Sequence, residues 1–251
     1  MMEMKGKQVD ISTVKAELFS VCQEHEYGVY ENGQLKKAVQ AIAVEVTTPV
    51  VVHGKVVGTL VSSPQDLLHL AAGYALAEGH IPAGEVVTGV TLQHGQAIVA
   101  TKAAPLSPAD TEGVTPLRVK ASQVCIYGGL LDSLSAAHHT SHGVHEGALV
   151  VGDKILAYAE DIGRHNVLDR LRGTIALEHL DVSQAVLVFS GRVPQSVITK
   201  VYHMGVRFLA SRALPTSLGI ALAKEYGITL VCGLRPDTFK VFCHGERLIS
   251  D

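Results

Sequence analysis

The stretch EDIGRHNVLDR, residues 160–170, predicts a junction between a β-strand and an α-helix, and this junction decides the fold. Immediately upstream, the apolar runs 148–151 and 155–160 are separated by Gly-Asp-Lys at 152–154, a pattern typical of a β-hairpin. Downstream, apolar residues recur with the i, i+4, i+8 spacing of a buried helix face: Val167, Leu171 and Ile175. A strand therefore ends, and a helix begins, within this stretch.

The residues between the strand and the helix are candidates for binding an anion. They are Gly163, Arg164, His165 and Asn166. At the start of a helix, free backbone N–H groups and the positive end of the helix dipole favour negative charge, so a phosphate group would suit this position. The alternative is an ordinary capped helix with a solvated arginine and histidine, and the junction alone does not decide between the two.

The composition indicates a compact protein whose surface as a whole does not attract nucleic acid or membranes. The chain has 251 residues, of which 47% are hydrophobic and 18% charged, with a formal net charge of −3. This charge leaves room for a local basic pocket. No apolar run approaches the ~18 residues of a transmembrane helix, and the polar start of the chain lacks the apolar region of a secretory signal. We therefore expect a cytoplasmic protein.

The cysteines do not form a disulfide or zinc pattern. The chain has four of them, Cys22, Cys125, Cys232 and Cys243, and no C-x-x-C pair. We expect reduced thiols.

The first half of the chain predicts a partly antiparallel sheet. Turn residues at 32–33, 53–55 and 93–96 separate strand-forming runs and indicate three hairpins. The polar residues 1–25 are expected to form an N-terminal arm. The proline-rich stretch 103–116 lacks periodicity and is expected to be a loop between two parts of the protein.

A helix is predicted between the second and third hairpins. Ser63 is expected to be its N-cap, with Pro64 at the first helical position, and Glu78-Gly79 is expected to end it. We therefore expect a smaller α+β domain at 26–116, followed by an α/β domain at 117–251.

The second half of the chain alternates strands with helices. Apolar runs at 185–189, 206–210 and 228–232 each lead into a polar loop, and the first two of these loops lead into helices, which predicts βαβ units and a mixed, partly parallel sheet. Loops after the carboxyl ends of parallel strands lie along one edge of such a sheet, where ligands bind. Four such loops each carry one arginine: Arg164, Arg192, Arg212 and Arg235.

These arginines are expected to converge on a polyanion, most simply a diphosphate or a nucleotide. The guanidinium group matches phosphate oxygens, and the same loops offer further donors. The donors are Ser190, Gly191, Ser211, Thr216 and Ser217. Alternatively, each arginine only caps its own loop or pairs with a nearby acid, for which Asp161, Asp169 and Asp237 are candidates.

Cys125 precedes Gly128-Gly129 and is expected to lie before the start of a helix. A cysteine at such a position can act through its thiolate, whereas a buried thiol is inert. The histidines His138, His139, His142 and His145 lie close in sequence, but no cysteine or acid other than Glu146 accompanies them at ligand spacing, so we expect no metal site. His244-Gly245-Glu246 provides H-x-E without the P-C-x-x-C that a zinc deaminase needs after it.

Several of these segments together resemble the formate dehydrogenase accessory sulfurtransferase family. The similarity covers nearly all of the chain beyond the arm, at residues 63–64, 73–79, 143–145, 160–166, 190–192, 211–217 and 227–231. The resemblance implies a cytidine-deaminase-like three-layer α/β core joined to a smaller β-containing domain, without deaminase zinc chemistry. It also implies a homodimer.

The resemblance further implies a role in the maturation of a molybdenum- or tungsten-dependent formate dehydrogenase. Such proteins take sulfur from a cysteine desulfurase as a cysteine persulfide and pass it to the bis-molybdopterin guanine dinucleotide cofactor, which GDP-like nucleotides mimic. The implied sulfur carrier is Cys125. The implied cofactor-binding segment is Gly233, Leu234, Arg235, Pro236, Asp237 and Thr238.

The chain departs from this family at the expected sulfur site. The family pattern is Cys-Gly-x-Cys-Gly, whereas residues 125–129 read CIYGG, so Gly128 replaces the second cysteine and excludes a relay between two thiols. Gly233 and Thr238 also stand where an aromatic and a basic residue are common. A second hypothesis is therefore a cofactor-binding chaperone without sulfur transfer, and a third is a metal-dependent hydrolase using the histidines at 138–145.

Overall fold

A computed structural model describes residues 21–104, 116–135, 141 and 143–251. Most of the predicted linker at 103–116 lies outside these residues, as do His138, His139 and His142. Within the described part of the chain, no helix combines the length and the apolar character needed to cross a bilayer.

A long hairpin opens the described structure. Its strands are β1 (Cys22–Glu31) and β2 (Gln34–Ala43), which pair antiparallel along their whole length. Asn32 and Gly33 form the turn with φ values of 51° and 81°, the left-handed conformation that a tight hairpin turn requires. The predicted hairpin is confirmed, although β1 begins at Cys22, so residues 22–25 of the expected arm are part of a strand.

A four-stranded sheet follows, and one helix covers it. Its strands are β3 (Val46–Val52), β4 (Lys55–Ser62), β5 (Glu85–Gln93) and β6 (Gln96–Ala103), in the order β4-β3-β6-β5. The two predicted hairpins are confirmed, and the central β3–β6 pair is parallel. Helix α1 (Leu67–Ala77) packs on this sheet through Leu70, Ala71 and Ala75, which are completely buried.

The start of α1 differs from the prediction. The helix begins at Leu67 with Asp66 as its N-cap, so Ser63 does not cap it and Pro64 lies before it. Instead, the Ser63 hydroxyl accepts a hydrogen bond from the Ile162 backbone N–H at 3.2 Å. The Ser63 N–H donates to Asp161 Oδ2 at 3.3 Å. A tertiary contact with the 160–170 junction has therefore replaced the local cap.

A short strand and a helix precede the main sheet. They are β7 (Val119–Lys120) and α2 (Ala121–Leu134). Cys125 was predicted to lie before a helix start, but it is the fifth residue of α2, because the helix already begins at Ala121.

The second sheet has six strands and is mixed, as predicted. Its strands are β8 (His145–Val151), β9 (Lys154–Asp161), β10 (Val186–Phe189), β11 (Phe208–Ser211), β12 (Thr229–Cys232) and β13 (Lys240–Cys243), in the order β13-β12-β11-β10-β8-β9. The β10–β11–β12 pairs are parallel, and β8 and β13 run antiparallel to their neighbours. Because β9 is antiparallel to β8, it runs in the same direction as β10.

Helices cover both faces of this sheet and give three layers. Strand β10 shows the alternation, since Val186 and Val188 face the α2 side while Leu187 and Phe189 face the other helices. Those helices are α3 (Arg164–Glu178), α4 (Gln195–His203) and α5 (Ser217–Glu225). The chain closes with a 3-10 turn, Gly245–Arg247, and β14 (Leu248–Ile249), which pairs in parallel with β7.

The two sheets are connected by the crossing of α1 and α3 at two glycines. A side chain on Gly73 would overlap the carbonyl oxygen of Asp169, and one on Gly173 would overlap the carbonyl oxygen of His69. The backbones of the two helices are therefore in direct contact, which only residues without a Cβ atom allow.

Candidate functional site

The strand directions place the four arginine-bearing loops at one edge of the six-stranded sheet. Strands β9, β10, β11 and β12 all run toward this edge. The arginines that follow these strands are Arg164, Arg192, Arg212 and Arg235. We call this edge, with the four arginines, the arginine edge.

Neighbouring loops of the arginine edge contact each other. A Cβ atom on Gly191 would lie 3.3 Å from the Cβ atom of Arg164, so the β9 and β10 loops touch. The Arg212 backbone N–H donates to the Phe189 carbonyl at 2.9 Å, and Arg235 Nη1 donates to the Arg212 carbonyl at 3.1 Å. The expected proximity of these loops therefore agrees with the geometry of the backbone.

Among the four arginines, Arg164 has a donor atom that an anion could satisfy. Its Nε atom is buried and has no hydrogen-bond partner among the described residues. A buried donor without a partner is costly, and a phosphate or carboxylate oxygen would satisfy it. Arg235 behaves partly as the alternative interpretation expects, because its Nη1 atom also caps its own loop at the Leu234 carbonyl, 2.6 Å away.

Two of the acids proposed as local partners are engaged elsewhere. Asp161 pairs with Arg170, with 2.6 Å between Arg170 Nη2 and Asp161 Oδ2. Asp169 pairs with Lys200 at 2.7 Å. These contacts leave the two acids bound to cations that do not belong to the arginine edge.

Most of the predicted neutral donors hold the loops in place. Asn166 Nδ2 donates to the Val61 carbonyl and to Asp161 Oδ1, both at 2.8 Å. The remaining contacts are Ser190 Oγ accepting from Glu146 N–H at 2.8 Å, Ser211 Oγ donating to the Gly191 carbonyl at 2.7 Å, and Thr216 Oγ1 capping α5 by accepting from Gly219 N–H at 3.1 Å. These side chains shape the arginine edge. Ser217 is exposed beside Thr216 at the helix start.

Two residues of the junction have defined partners. The Gly163 N–H donates to Asp161 Oδ1 at 2.9 Å. Gly163 is the N-cap residue of α3. His165 Nε2 lies 2.9 Å from Ser196 Oγ. Burial, followed by the nearby Arg164 and Lys200 cations, lowers the pKa of His165, so its imidazole is neutral at physiological pH.

The cysteine helix contacts the 233–238 segment at Gly128. A Cβ atom on Gly128 would lie 2.5 Å from both the carbonyl carbon and the carbonyl oxygen of Arg235. Cys125 is half-buried one helical turn before Gly128, on the same side of α2. The absence of a side chain at Gly128 therefore lets the thiol-bearing helix lie directly on the segment that begins at Gly233.

That segment forms an exposed turn. Gly233 has a φ of 66°, which favours glycine, and Leu234 is completely buried beneath the turn. The Arg235 N–H donates to the Thr238 carbonyl at 2.9 Å, and the side chains of Arg235, Pro236, Asp237 and Thr238 are exposed.

The remaining cysteines are poor nucleophiles. Burial, with a contribution from nearby Cys243, raises the pKa of Cys232 to about 12. Burial also raises the pKa values of Cys22 and Cys243. Because the thiolate is the reactive form, burial lowers the reactivity of these three thiols at neutral pH.

Sequence reasoning missed a buried ionic cluster around Lys200. Lys200 Nζ lies 2.7 Å from Asp169 Oδ1 and 2.8 Å from Glu78 Oε1, which links α4, α3 and the end of α1. Lys200 follows Arg192 by eight residues, yet these contacts place its ammonium group in a cluster separate from the arginine edge. Only long-range contacts reveal this role.

The described residues offer no metal site. Among them, no group of three or more His, Cys, Asp or Glu side chains is arranged to hold an ion. His145 is in β8, and the other three clustered histidines lie outside the described residues.

Fold and site together define a class of protein: a three-layer α/β protein with a cationic strand edge beside a half-buried thiol. The chain belongs to the FdhD/NarQ family, whose model matches residues 105–249. It is 30% identical over 248 residues to the sulfur carrier protein FdhD of Geobacillus kaustophilus, covering 88% of this chain and 94% of that protein. It is 31% identical to the sulfur carrier protein FdhD of Bacillus licheniformis, covering 87% and 94%.

A solved structure shares the fold. It is the crystal structure of a protein described as a formate dehydrogenase accessory protein from Desulfotalea psychrophila, with a TM-score of 0.80 and 25% identity, covering 91% of this chain and all of that one. The family resemblance and the mixed α/β fold are thus confirmed. The cytidine-deaminase-like description and the domain boundaries at 25–26 and 116–117 stay predictions.

Proposed function

We propose that this protein is a sulfur carrier for the maturation of a formate dehydrogenase, acting in the cytoplasm. In this proposal Cys125 receives sulfur from a cysteine desulfurase and passes it to the bis-molybdopterin guanine dinucleotide cofactor, which contains molybdenum or tungsten. The observation that carries the proposal is the contact at Gly128, which joins the Cys125 helix to the Arg235 turn. The names of the relatives as sulfur carriers and as a formate dehydrogenase accessory protein support it.

The sulfur step needs one thiolate. The Cys125 thiolate attacks the outer sulfur of the desulfurase persulfide, so a new S–S bond forms on Cys125 and the S–S bond of the donor breaks, releasing the donor cysteine as a thiolate. Release of the outer sulfur as sulfide then takes two electrons, from a thiol reductant or from the metal, and restores the Cys125 thiolate.

The cofactor is the substrate of this step, and its diphosphates fit the arginine edge. Arg164 offers a buried Nε donor that no described residue satisfies, and the exposed Arg192 and Arg235 side chains present further cations. Arginine binds phosphate oxygens through two parallel hydrogen bonds, so these groups would hold and orient the guanine dinucleotide while Cys125 approaches from α2.

Mass spectrometry tests the sulfur step. After incubation with a cysteine desulfurase and cysteine, Cys125 should gain about 32 Da, the mass of one sulfur atom, and lose it on treatment with a thiol reductant. The Cys125→Ala variant should gain no such adduct, while Cys232 and Cys243 should stay unmodified. A wild-type protein that binds GDP but acquires no adduct on Cys125 would contradict the sulfur step.

A titration with GDP tests the cofactor site separately. Saturable binding should weaken at least about tenfold in Arg235→Ala, because a charge-assisted contact to phosphate is removed, and should be unchanged in Cys125→Ala. Absence of GDP binding in the wild-type protein would contradict the placement of the guanine dinucleotide.

Gly128 supports a second candidate function. Because it replaces the second cysteine of the family pattern, the chain cannot pass sulfur between two thiols in α2. The protein would then be a chaperone that binds and delivers the cofactor. Full formate dehydrogenase activity in cells carrying only the Cys125→Ala variant would favour this function over sulfur transfer.

The hairpin β1–β2 supports a homodimer. It exposes Tyr30, Leu35 and Val39 by 74%, 76% and 62%, and it packs on the body at its base, where Cys22 and Ala43 meet Val144 and Ile162. A hairpin ten residues long extends about 33 Å, and an isolated two-stranded hairpin is only marginally stable in water. Such a hairpin would be stabilised by a partner surface.

A second copy of this chain is the partner best suited to cover the exposed hairpin. Four of its charged side chains form two pairs, Lys37 with Glu26 at 2.5 Å and Lys36 with Glu31 at 3.7 Å, so two hairpins can meet without strong repulsion. The two faces of a hairpin of this length offer roughly 630 Å², most of the ~800 Å² that each partner contributes to a typical stable interface.

A further inference from the structure

A cavity lies at the edge of the six-stranded sheet opposite the arginine edge. Its volume is about 320 Å³, and its lining includes Arg118, Arg207 and Arg247. Arg118 precedes β7, Arg207 precedes β11, and Arg247 is in the final 3-10 turn. Three arginines from distant parts of the sequence therefore surround one space.

Each of these arginines is anchored to the protein through one nitrogen atom. Arg118 Nη1 donates to the Glu246 carbonyl at 2.6 Å, and Arg247 Nη1 donates to Thr229 Oγ1 at 3.0 Å. Arg207 Nη1 donates to the Tyr202 and Val206 carbonyls at 3.3 and 3.2 Å, and the guanidinium carbon lies 4.7 Å from the Tyr202 ring centroid. Because a guanidinium has five N–H donors, this anchoring fixes the groups and leaves donors for a ligand.

The described residues that line the cavity carry more positive than negative charge. Glu246 is the one acidic residue among the described residues that line it, and its side chain is 66% exposed. Its Oε1 atom lies 3.1 Å from His244 Nδ1 and 3.9 Å from Arg247 Nη1, so it is shared between two groups. The lining therefore carries three positive charges and one negative charge, which is mostly exposed to solvent, in a chain whose net charge is −3.

We propose that this cavity binds a small oxyanion, a phosphate or diphosphate group, at a site separate from the arginine edge. Three anchored guanidinium groups around a shared space suit an anion with several oxygen atoms. The four-residue strands β10, β11 and β12 separate this cavity from the arginine edge by about 13 Å, so one phosphate group cannot contact both sites. The site is independent of the proposed sulfur transfer.

Calorimetric titration with inorganic phosphate and with pyrophosphate at low ionic strength tests this proposal. Saturable binding of at least one probe should weaken about tenfold or more in Arg118→Gln and in Arg247→Gln, because each loses a charge-assisted contact. Arg118 is exposed, so its variant should fold as the wild type does, which an unchanged circular dichroism spectrum and melting temperature would verify.

Arg235→Gln is the matched control at the arginine edge. It should leave probe binding at the cavity unchanged, whereas GDP binding should fall in this variant and persist in Arg118→Gln. Comparing the two probes shows which kind of ligand the cavity binds. Tighter binding of pyrophosphate indicates a ligand with a diphosphate, and equal binding indicates a ligand with a single phosphate group. Probe binding lost only in Arg235→Gln, or no saturable binding in the wild type, would overturn the proposal.

Discussion

Arg170 and Asp161 form a buried ion pair, with 2.6 Å between Nη2 and Oδ2 and side chains only 2% and 0% exposed. The same guanidinium donates to the carbonyls of Ser63 and Gln65, and Asp161 Oδ1 accepts from Asn166 and Gly163. One charge pair thus ties the strand-to-helix junction to the segment before α1.

Removing one member of this pair should strongly destabilise the fold. Arg170→Met leaves the Asp161 carboxylate buried without its cation, and we expect a loss of about 3–5 kcal/mol in the free energy of unfolding. Denaturant unfolding measures it. Lys37→Met in the exposed hairpin pair is the control and should cost under about 1 kcal/mol. Equal losses in the two variants would contradict the structural role of the buried pair.

Gly128 and Gly129 should respond in opposite directions to the same substitution. Gly128→Ala forces a methyl group against the Arg235 backbone, and we expect a loss of about 1–3 kcal/mol in the free energy of unfolding. Nothing lies within 4 Å of a Cβ atom on Gly129, so Gly129→Ala should stabilise the helix by roughly 0.5–1 kcal/mol. Thermal or denaturant unfolding of both variants measures these changes in stability. A stabilised Gly128→Ala would show that α2 does not lie on the Arg235 turn.

Asp169 should make stability fall as the pH rises through the mildly acidic range. Burial outweighs the neighbouring Lys200 ammonium and raises the pKa of Asp169 from 3.8 to about 6. The folded protein therefore binds this proton more tightly than the unfolded chain, and its contribution to stability is complete below pH 3.8 and lost by about pH 6. The loss amounts to up to about 3 kcal/mol.

The Asp169→Asn variant isolates this effect. It cannot release a proton, so the difference in unfolding free energy between the wild type and the variant should change with pH across this window, as measured by denaturant titrations at several pH values. A difference independent of pH would show that Asp169 keeps its ordinary pKa because Lys200 compensates for burial.

A charge on the hairpin should separate the proposed dimer. Light scattering should give the wild type a mass twice the 26.6 kDa of one chain, and Leu35→Glu should shift it to the monomer, because a carboxylate would be buried at the interface. Val56→Glu in β4 is the matched control, since Val56 is 58% exposed outside the hairpin, and it should stay dimeric. A monomeric wild type would mean that another partner or another segment of the chain covers the hairpin.

Local patterns predicted the elements that depend on local chemistry. Asn32-Gly33 and the turn at 152–154 determine their hairpins because few residues accept a left-handed backbone. The shared edge of the four arginines was also predictable, since strand direction follows from the alternation of strands and helices. Each of these inferences needs only neighbours in sequence.

The failures occurred where distant residues override a local signal. Ser63-Pro64 has the pattern of a helix start, yet Asp161 and Ile162, almost a hundred residues away, take the hydrogen bonds of Ser63. Lys200 binds Glu78, 122 residues earlier, which no spacing reveals.

The position of Cys125 was wrong for a local reason. Cys125 was placed before its helix because the apolar periodicity becomes clear only after it, whereas the helix begins at Ala121.

The crossing of α1 and α3 limits how this protein can change. Because Gly73 and Gly173 bring two backbones into contact, a single methyl group at either position would act as a wedge between the helix that covers the four-stranded sheet and the helix that starts at Arg164. The close contact of the two helices thus depends on glycine at both positions. A substitution at either glycine would therefore disturb both the half of the chain that carries the arginines and the half that carries α1.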